Sequence, residues 1–149
     1  MDVVDKKLDM AKKLGADHAI NASGKEDKAL LKEIRVLTGG GADIAIEAIG
    51  NPKTIELASS SVKPGGTHCQ VGYAHQDVLL NAARLMFRET EIKGSLGCRP
   101  VDYPKIIEMV RTGKIQLTPV VTHKFRLDDI NQAFDLMRKG EALRSIIVF

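Results

Sequence analysis

The run at residues 42–49 (ADIAIEAI) constrains this chain more than any other stretch. It is short and mostly apolar, as a strand covered on both faces would be. Gly50 follows, and then Asn51-Pro52 opens a helix. A capping side chain comes first, and proline sits where its missing N–H removes no helical hydrogen bond. A buried strand that runs directly into a helix is the repeating unit of a parallel sheet flanked by helices.

The alternation continues to about residue 96. Positions 6–14 read as a helix capped by Asp5, with Leu8, Ala11 and Leu14 on one face and Gly15 as its stop. Residues 18–20 read as a short strand. Leu30, Leu31, Ile34 and Leu37 recur at helical spacing, and Gly39-Gly40-Gly41 breaks that helix. Lys63-Pro64-Gly65-Gly66 is turn chemistry. Strands are expected at 67–71 and 90–95, with a short helix over 82–88. After Gly97 the pattern changes. Asp102 is expected to cap a helix reaching Arg111, and 119–125 is extended. Asp128 or Asp129 caps a helix bearing Ile130, Ala133, Phe134 and Met137. Gly140 stops it, and 145–149 is a final β-branched strand. The fold class is α/β.

Composition narrows the function. A hydrophobic content of 44% and a charged content of 28% describe a globular protein with a core. No apolar run is long enough to span a membrane and no signal-type segment opens the chain, so a cytoplasmic protein is expected. The net charge is +3, but acids are interleaved with the lysines and aromatics make up only 4%, which argues against nucleic-acid binding. Cys69 and Cys98 stand far apart. His18, His68, His75 and His123 show no metal-ligand spacing. No G-x-S-x-G motif occurs, and the serines at 59–61 fall at a helix end.

In sheets of this kind ligands bind beyond the carboxyl ends of the strands. Asp2 with Lys7, Glu47 to Gly50, Val71-Gly72-Tyr73 and Gly94 to Gly97 occupy such ends. Glycine there lets backbone groups approach a ligand. Glu47 lies in an apolar strand. It is either an acid of raised pKa or one fixed by hydrogen bonds to backbone, the second being the commoner case.

The segments VDKKLDMAKKLGADHAIN, TGGGADIAIEAIGNPKTIELASSSVKPGGTHCQVG, ETEIKGSLG and VVTHKFRLDDINQAFDLMRKGEALRSIIVF resemble the medium-chain dehydrogenase/reductase family, in its zinc-dependent alcohol dehydrogenase branch. The resemblance covers nearly the whole chain. It implies an incomplete Rossmann-type doubly wound parallel sheet, lacking strand 1 and most of strand 2, plus a C-terminal helix/strand tail. Residues 1–96 would be a partial NAD-binding domain. Residues 97–149 would be the segment that in the family packs back on the catalytic lobe. Strand 42–49 would then be an exposed edge, although its sequence suits a buried centre.

The same resemblance implies site roles. Asp2 matches the acid that accepts the adenosine ribose hydroxyls, which favours NAD over NADP because a carboxylate repels a 2′-phosphate. Lys7 matches a lysine on that ribose. Ile49 and Gly50 line the adenine and ribose side. Val71, Gly72 and Tyr73 match the loop carrying the nicotinamide end, and Ser95 and Leu96 face its carboxamide. Arg144 matches an arginine on the pyrophosphate.

The family's zinc ligands, proton-relay hydroxyl and glycine-rich phosphate loop have no counterpart here, so no catalytic residue is expected in this chain and no turnover by it alone. The expected parent is an NAD-dependent alcohol dehydrogenase acting on a small alcohol or carbonyl. One alternative is a non-catalytic or split-enzyme subunit that pairs with an N-terminal catalytic lobe or with its own copy. Another is a zinc-free NADPH quinone or enoyl reductase, which Asp2 disfavours by charge.

Overall fold

The computed structural model describes all 149 residues. In chain order the regular elements are α1 (Asp5–Lys13), α2 (Asp27–Thr38), β1 (Ala42–Glu47), α3 (Pro52–Ser61), β2 (Val62–Gln70), α4 (Ala82–Phe87), β3 (Glu91–Gly94), α5 (Tyr103–Arg111), β4 (Val121–Phe125), α6 (Ile130–Arg138) and β5 (Arg144–Ile147). They fall into two compact units. One is Ala22–Gly97. The other joins Met1–Asn21 to Cys98–Phe149.

The unit Ala22–Gly97 holds a parallel sheet in the order β1-β2-β3. Asn51 caps α3 as its sequence predicts, its side chain accepting from the Lys53 N–H at 2.9 Å. Leu30 of α2, Ile55 and Leu57 of α3 and Val62 of β2 form the buried core. Each such side chain stabilises the fold by about 1.5–3 kcal/mol relative to exposure. The Lys63-Pro64-Gly65-Gly66 turn is accommodated inside β2. The pairing jumps from Ala42↔Val62 to Ile44↔Thr67, so these four residues bulge out of the ladder. Gly65, at φ 71, supplies the left-handed backbone the bulge needs.

β1 is an edge strand, and Ile44 and Ile46 on it are 63% and 69% exposed. A strand of central-strand sequence therefore lies at the rim with its apolar side chains uncovered.

In the other unit, β4 and β5 pair in parallel and α6 joins them in sequence, a βαβ arrangement. Leu8, Ile20 and Ala133 are its buried apolar residues. The strand expected at 18–20 does not form. It is reduced to one parallel bridge, Asp2↔Asn21, with the Asp2 N–H on the Ile20 carbonyl at 3.2 Å. A strand needs a neighbour paired over a comparable length, and here the pairing stops at a single bridge.

Three expected caps are replaced. Asp5 lies inside the first turn of α1, behind Val4, and accepts from Asn21 Nδ2 at 2.5 Å. Asp102 binds the Arg99 guanidinium at 2.9 and 3.1 Å instead of the α5 backbone. Asp128 and Asp129 lie in a 3-10 turn before α6, and neither side chain caps the helix. An arginine or amide within reach competes with the helix N–H groups for the same carboxylate.

Candidate functional site

The sheet register collects one set of expected site residues at one edge. Glu47 pairs with Gln70, and Gln70 with Gly94, so the three parallel strands end in a common row. Ile49-Gly50, Val71-Gly72-Tyr73 and Ser95-Leu96 leave that row directly. The Ser95 N–H returns to the Gln70 carbonyl at 2.9 Å.

Glu47 organises the edge. It is 3% exposed. Its carboxylate accepts from the Ile49 N–H at 2.8 Å, the Gly50 N–H at 3.0 Å, Thr54 Oγ1 at 2.8 Å and Gln70 Nε2 at 2.7 Å. Its carbonyl accepts from the Val71 and Gly72 N–H groups at 2.8 and 3.0 Å. Burial pushes the Glu47 pKa upward, but the Thr54 hydroxyl, the Ile49 N–H, the Gln70 amide and the Gly50 N–H outweigh it. The net shift is downward and the group is a carboxylate. This corrects the raised-pKa reading in favour of the structural one.

Gly50 and Gly72 at this edge are required by close approach. Gly50 has φ 80, and a Cβ on it would collide with the Tyr73 backbone. A Cβ on Gly72 would meet the backbone nitrogens of Gly50 and Ile49. The two turns touch backbone to backbone, and the N–H groups of Ile49, Gly50, Val71 and Gly72 are all taken by Glu47. The edge offers a ligand carbonyl oxygens and the exposed side chains of Ile49, Val71, Tyr73 and Leu96. That surface suits a partner with an apolar face and hydrogen-bond donors, and does not suit an anion.

Asp2, Lys7 and Arg144 belong to the other unit. Asp2 Oδ1 accepts from the Val3 and Val4 N–H groups at 2.8 and 3.0 Å, fixing the entry to α1. Lys7 lines a cleft of about 720 Å³ with Lys6, His123 and Lys139. Arg144 is exposed and lines a separate cavity of about 250 Å³ beside Phe134 and Ser145. Lys7 and Arg144 therefore do not share a cavity. No group of three or more His, Cys, Asp or Glu side chains converges on one point.

The sequence profile described as zinc-binding dehydrogenase matches residues 1–112. This chain belongs to that family. Sorbitol dehydrogenase 1 of Saccharomyces cerevisiae is 34% identical over 153 aligned positions, which cover 99% of this chain and 43% of the yeast protein. L-threonine 3-dehydrogenase of Chromobacterium violaceum is 28% identical over 147 residues, 98% of this chain and 42% of that protein. The crystal structure of benzyl alcohol dehydrogenase from Acinetobacter calcoaceticus superposes with a TM-score of 0.88 at 27% identity, over 98% of this chain and 41% of that one.

The chain thus spans well under half the length of the zinc-binding dehydrogenases it matches, in their C-terminal part. Its α/β fold with parallel sheets matches the Rossmann-like domain of alcohol dehydrogenases. No helix is long and apolar enough to cross a membrane.

Two contributors to the edge went unnoticed in the sequence. Gln70 and Thr54 each donate to Glu47. The only signal for Gln70 was a polar residue at the end of an expected strand, just before the Val71-Gly72 turn.

Proposed function

We propose that this chain is the nucleotide-binding part of an NAD-dependent, zinc-type alcohol dehydrogenase. The observation that carries this reading is the common strand-end row, with glycine turns packed backbone to backbone, in a member of the zinc-binding dehydrogenase family. Bound NAD would supply the hydride acceptor. The chain's own residues bind and orient it. Ile49, Gly50, Val71, Gly72, Tyr73, Ser95 and Leu96 present carbonyls and apolar surface. Asp2 keeps one carboxylate oxygen for ribose hydroxyls, and Lys7 and Arg144 carry charge free of any ion pair. Residues 1–96 serve as the cofactor part and 97–149 as the segment docking on a catalytic lobe. The lobe, or a second copy, completes the enzyme around a small alcohol or carbonyl in the cytoplasm. The uncovered Ile44 and Ile46 on the β1 edge favour such a partner.

Calorimetric titration of the chain with NAD and NADP tests the reading. NAD is expected to bind at least about tenfold more tightly than NADP, a difference of about 1.4 kcal/mol. Replacing Asp2 with alanine is expected to narrow that ratio. Absence of NAD binding at millimolar concentration, or a preference for NADP, overturns it. Alcohol oxidation by the isolated chain is expected to be undetectable.

A further inference from the structure

We infer that Glu47 is a positioning residue that, with Gln70, holds the turn at 49–50 and the turn at 71–73 in one fixed relation. The inference rests on the cofactor reading above for its consequence, but its geometry stands apart from it. The carboxylate takes the Ile49 and Gly50 N–H groups of the first turn. Gln70 Nε2 donates at 2.7 Å both to Glu47 Oε2 and to the Gly72 carbonyl of the second turn. The Glu47 carbonyl takes the Val71 and Gly72 N–H groups. Thr54 ties the same carboxylate to α3.

One residue thus touches both turns directly, and a second time through one amide. Gly50 and Gly72 leave no Cβ to separate them, so a displacement of either turn is carried to the other. A ligand reaching across both then meets an edge that is already ordered, and less conformational freedom is lost on binding.

A carboxylate is required for this. Glutamine at position 47 would keep a single acceptor oxygen and turn an NH₂ group toward N–H donors, leaving buried donors unsatisfied. A residue that merely fills the core would lower stability everywhere alike. A positioning residue loosens the two turns selectively.

The test uses the whole chain and Glu47→Gln, with Gln70→Leu as a second variant that leaves the Ile49 and Gly50 bonds in place. Residue-resolved amide hydrogen exchange is read without ligand. In Glu47→Gln the amides of Ile49, Gly50, Val71 and Gly72 are expected to exchange at least about tenfold faster, relative to the parent, than any change at Leu30 and Ile55 in the helices. Gln70→Leu is expected to speed Gly50 as well as Gly72.

NADH and AMP are titrated in parallel. The advantage of NADH over AMP, which depends on spanning both turns, is expected to shrink at least about fivefold in Glu47→Gln. Uniform acceleration across all these amides overturns the inference, as does acceleration confined to one turn. If the parent binds neither NADH nor AMP, the cofactor reading fails while the exchange pattern alone still decides whether Glu47 couples the turns.

Discussion

Gly72 packs against Glu47 so closely that a Cβ at position 72 would stand 2.5 Å from Glu47 Oε2 and 2.7 Å from the Ile49 nitrogen. Its own N–H donates to the Glu47 carbonyl at 3.0 Å. Gly72→Ala is therefore expected to destabilise the fold by about 1–3 kcal/mol through overpacking against backbone that cannot retreat. Gly94→Ala is the control, because a Cβ there meets nothing within 4 Å. Its effect is expected within about 0.5 kcal/mol. Urea denaturation of the two variants decides the point, and equal midpoints would contradict the packing.

The Asn51 cap gives a second, local prediction. Its side chain satisfies the Lys53 N–H at the start of α3, which carries Ile55 and Leu57 into the core. Asn51→Ala is expected to cost about 1 kcal/mol. Asp102→Ala, at the corresponding place before α5, removes only an exposed Arg99 pair and is expected to cost less than about 0.5 kcal/mol. Thermal midpoints of the two variants should rank in that order.

These cases also mark how far the sequence could be read. Residues 42–49 and Asn51-Pro52 were decisive because hydrophobic pattern, cap and proline all agree over neighbouring residues. The aspartates at 5, 102, 128 and 129 misled, because a capping side chain is defined by what else lies within reach. Asn21 and Arg99 are such competitors for Asp5 and Asp102. The strand at 18–20 failed because a strand is a property of a pair, and local sequence does not name the partner. At the candidate edge, the glycines and Glu47 were visible as types and positions. The bond from Gln70 to Glu47 joins residues 23 positions apart and required the register of β1 on β2.

The exposed β1 edge predicts self-association. Ile44 and Ile46 present apolar side chains beside unpaired backbone groups at the rim of the sheet. Such an edge templates pairing with another chain. Ile46→Lys is expected to leave the unfolding free energy within about 0.5 kcal/mol and to reduce concentration-dependent association. Sedimentation velocity over a range of concentrations reads the second effect. Unchanged association would place the sticky surface elsewhere.

Acid sensitivity follows from two buried groups on neighbouring strands, His68 on β2 and Glu47 on β1. His68 is 0% exposed, and neither ring nitrogen has a hydrogen-bond partner. Burial pushes its pKa below the ordinary 6.5, with the Gln70 side chain and the Glu47 charge opposing weakly. The unfolded chain therefore takes up this proton first, and stability falls as pH drops below 6.5. Glu47 is also shifted downward, from 4.5, because its hydrogen bonds outweigh burial. Its contribution is intact above that value and is lost as pH falls through the folded pKa. Denaturation free energy measured from pH 8 to pH 3 should thus decline in two stages, one setting in below pH 6.5 and a second below pH 4.5. His68→Leu is expected to flatten the first stage and leave the second. Glu47→Gln should reduce the second, in which Asp43, Asp102 and Glu108 also take part, at lower stability throughout. If His68→Leu loses stability between pH 7 and pH 5 as steeply as the parent, the proton responsible lies on another group.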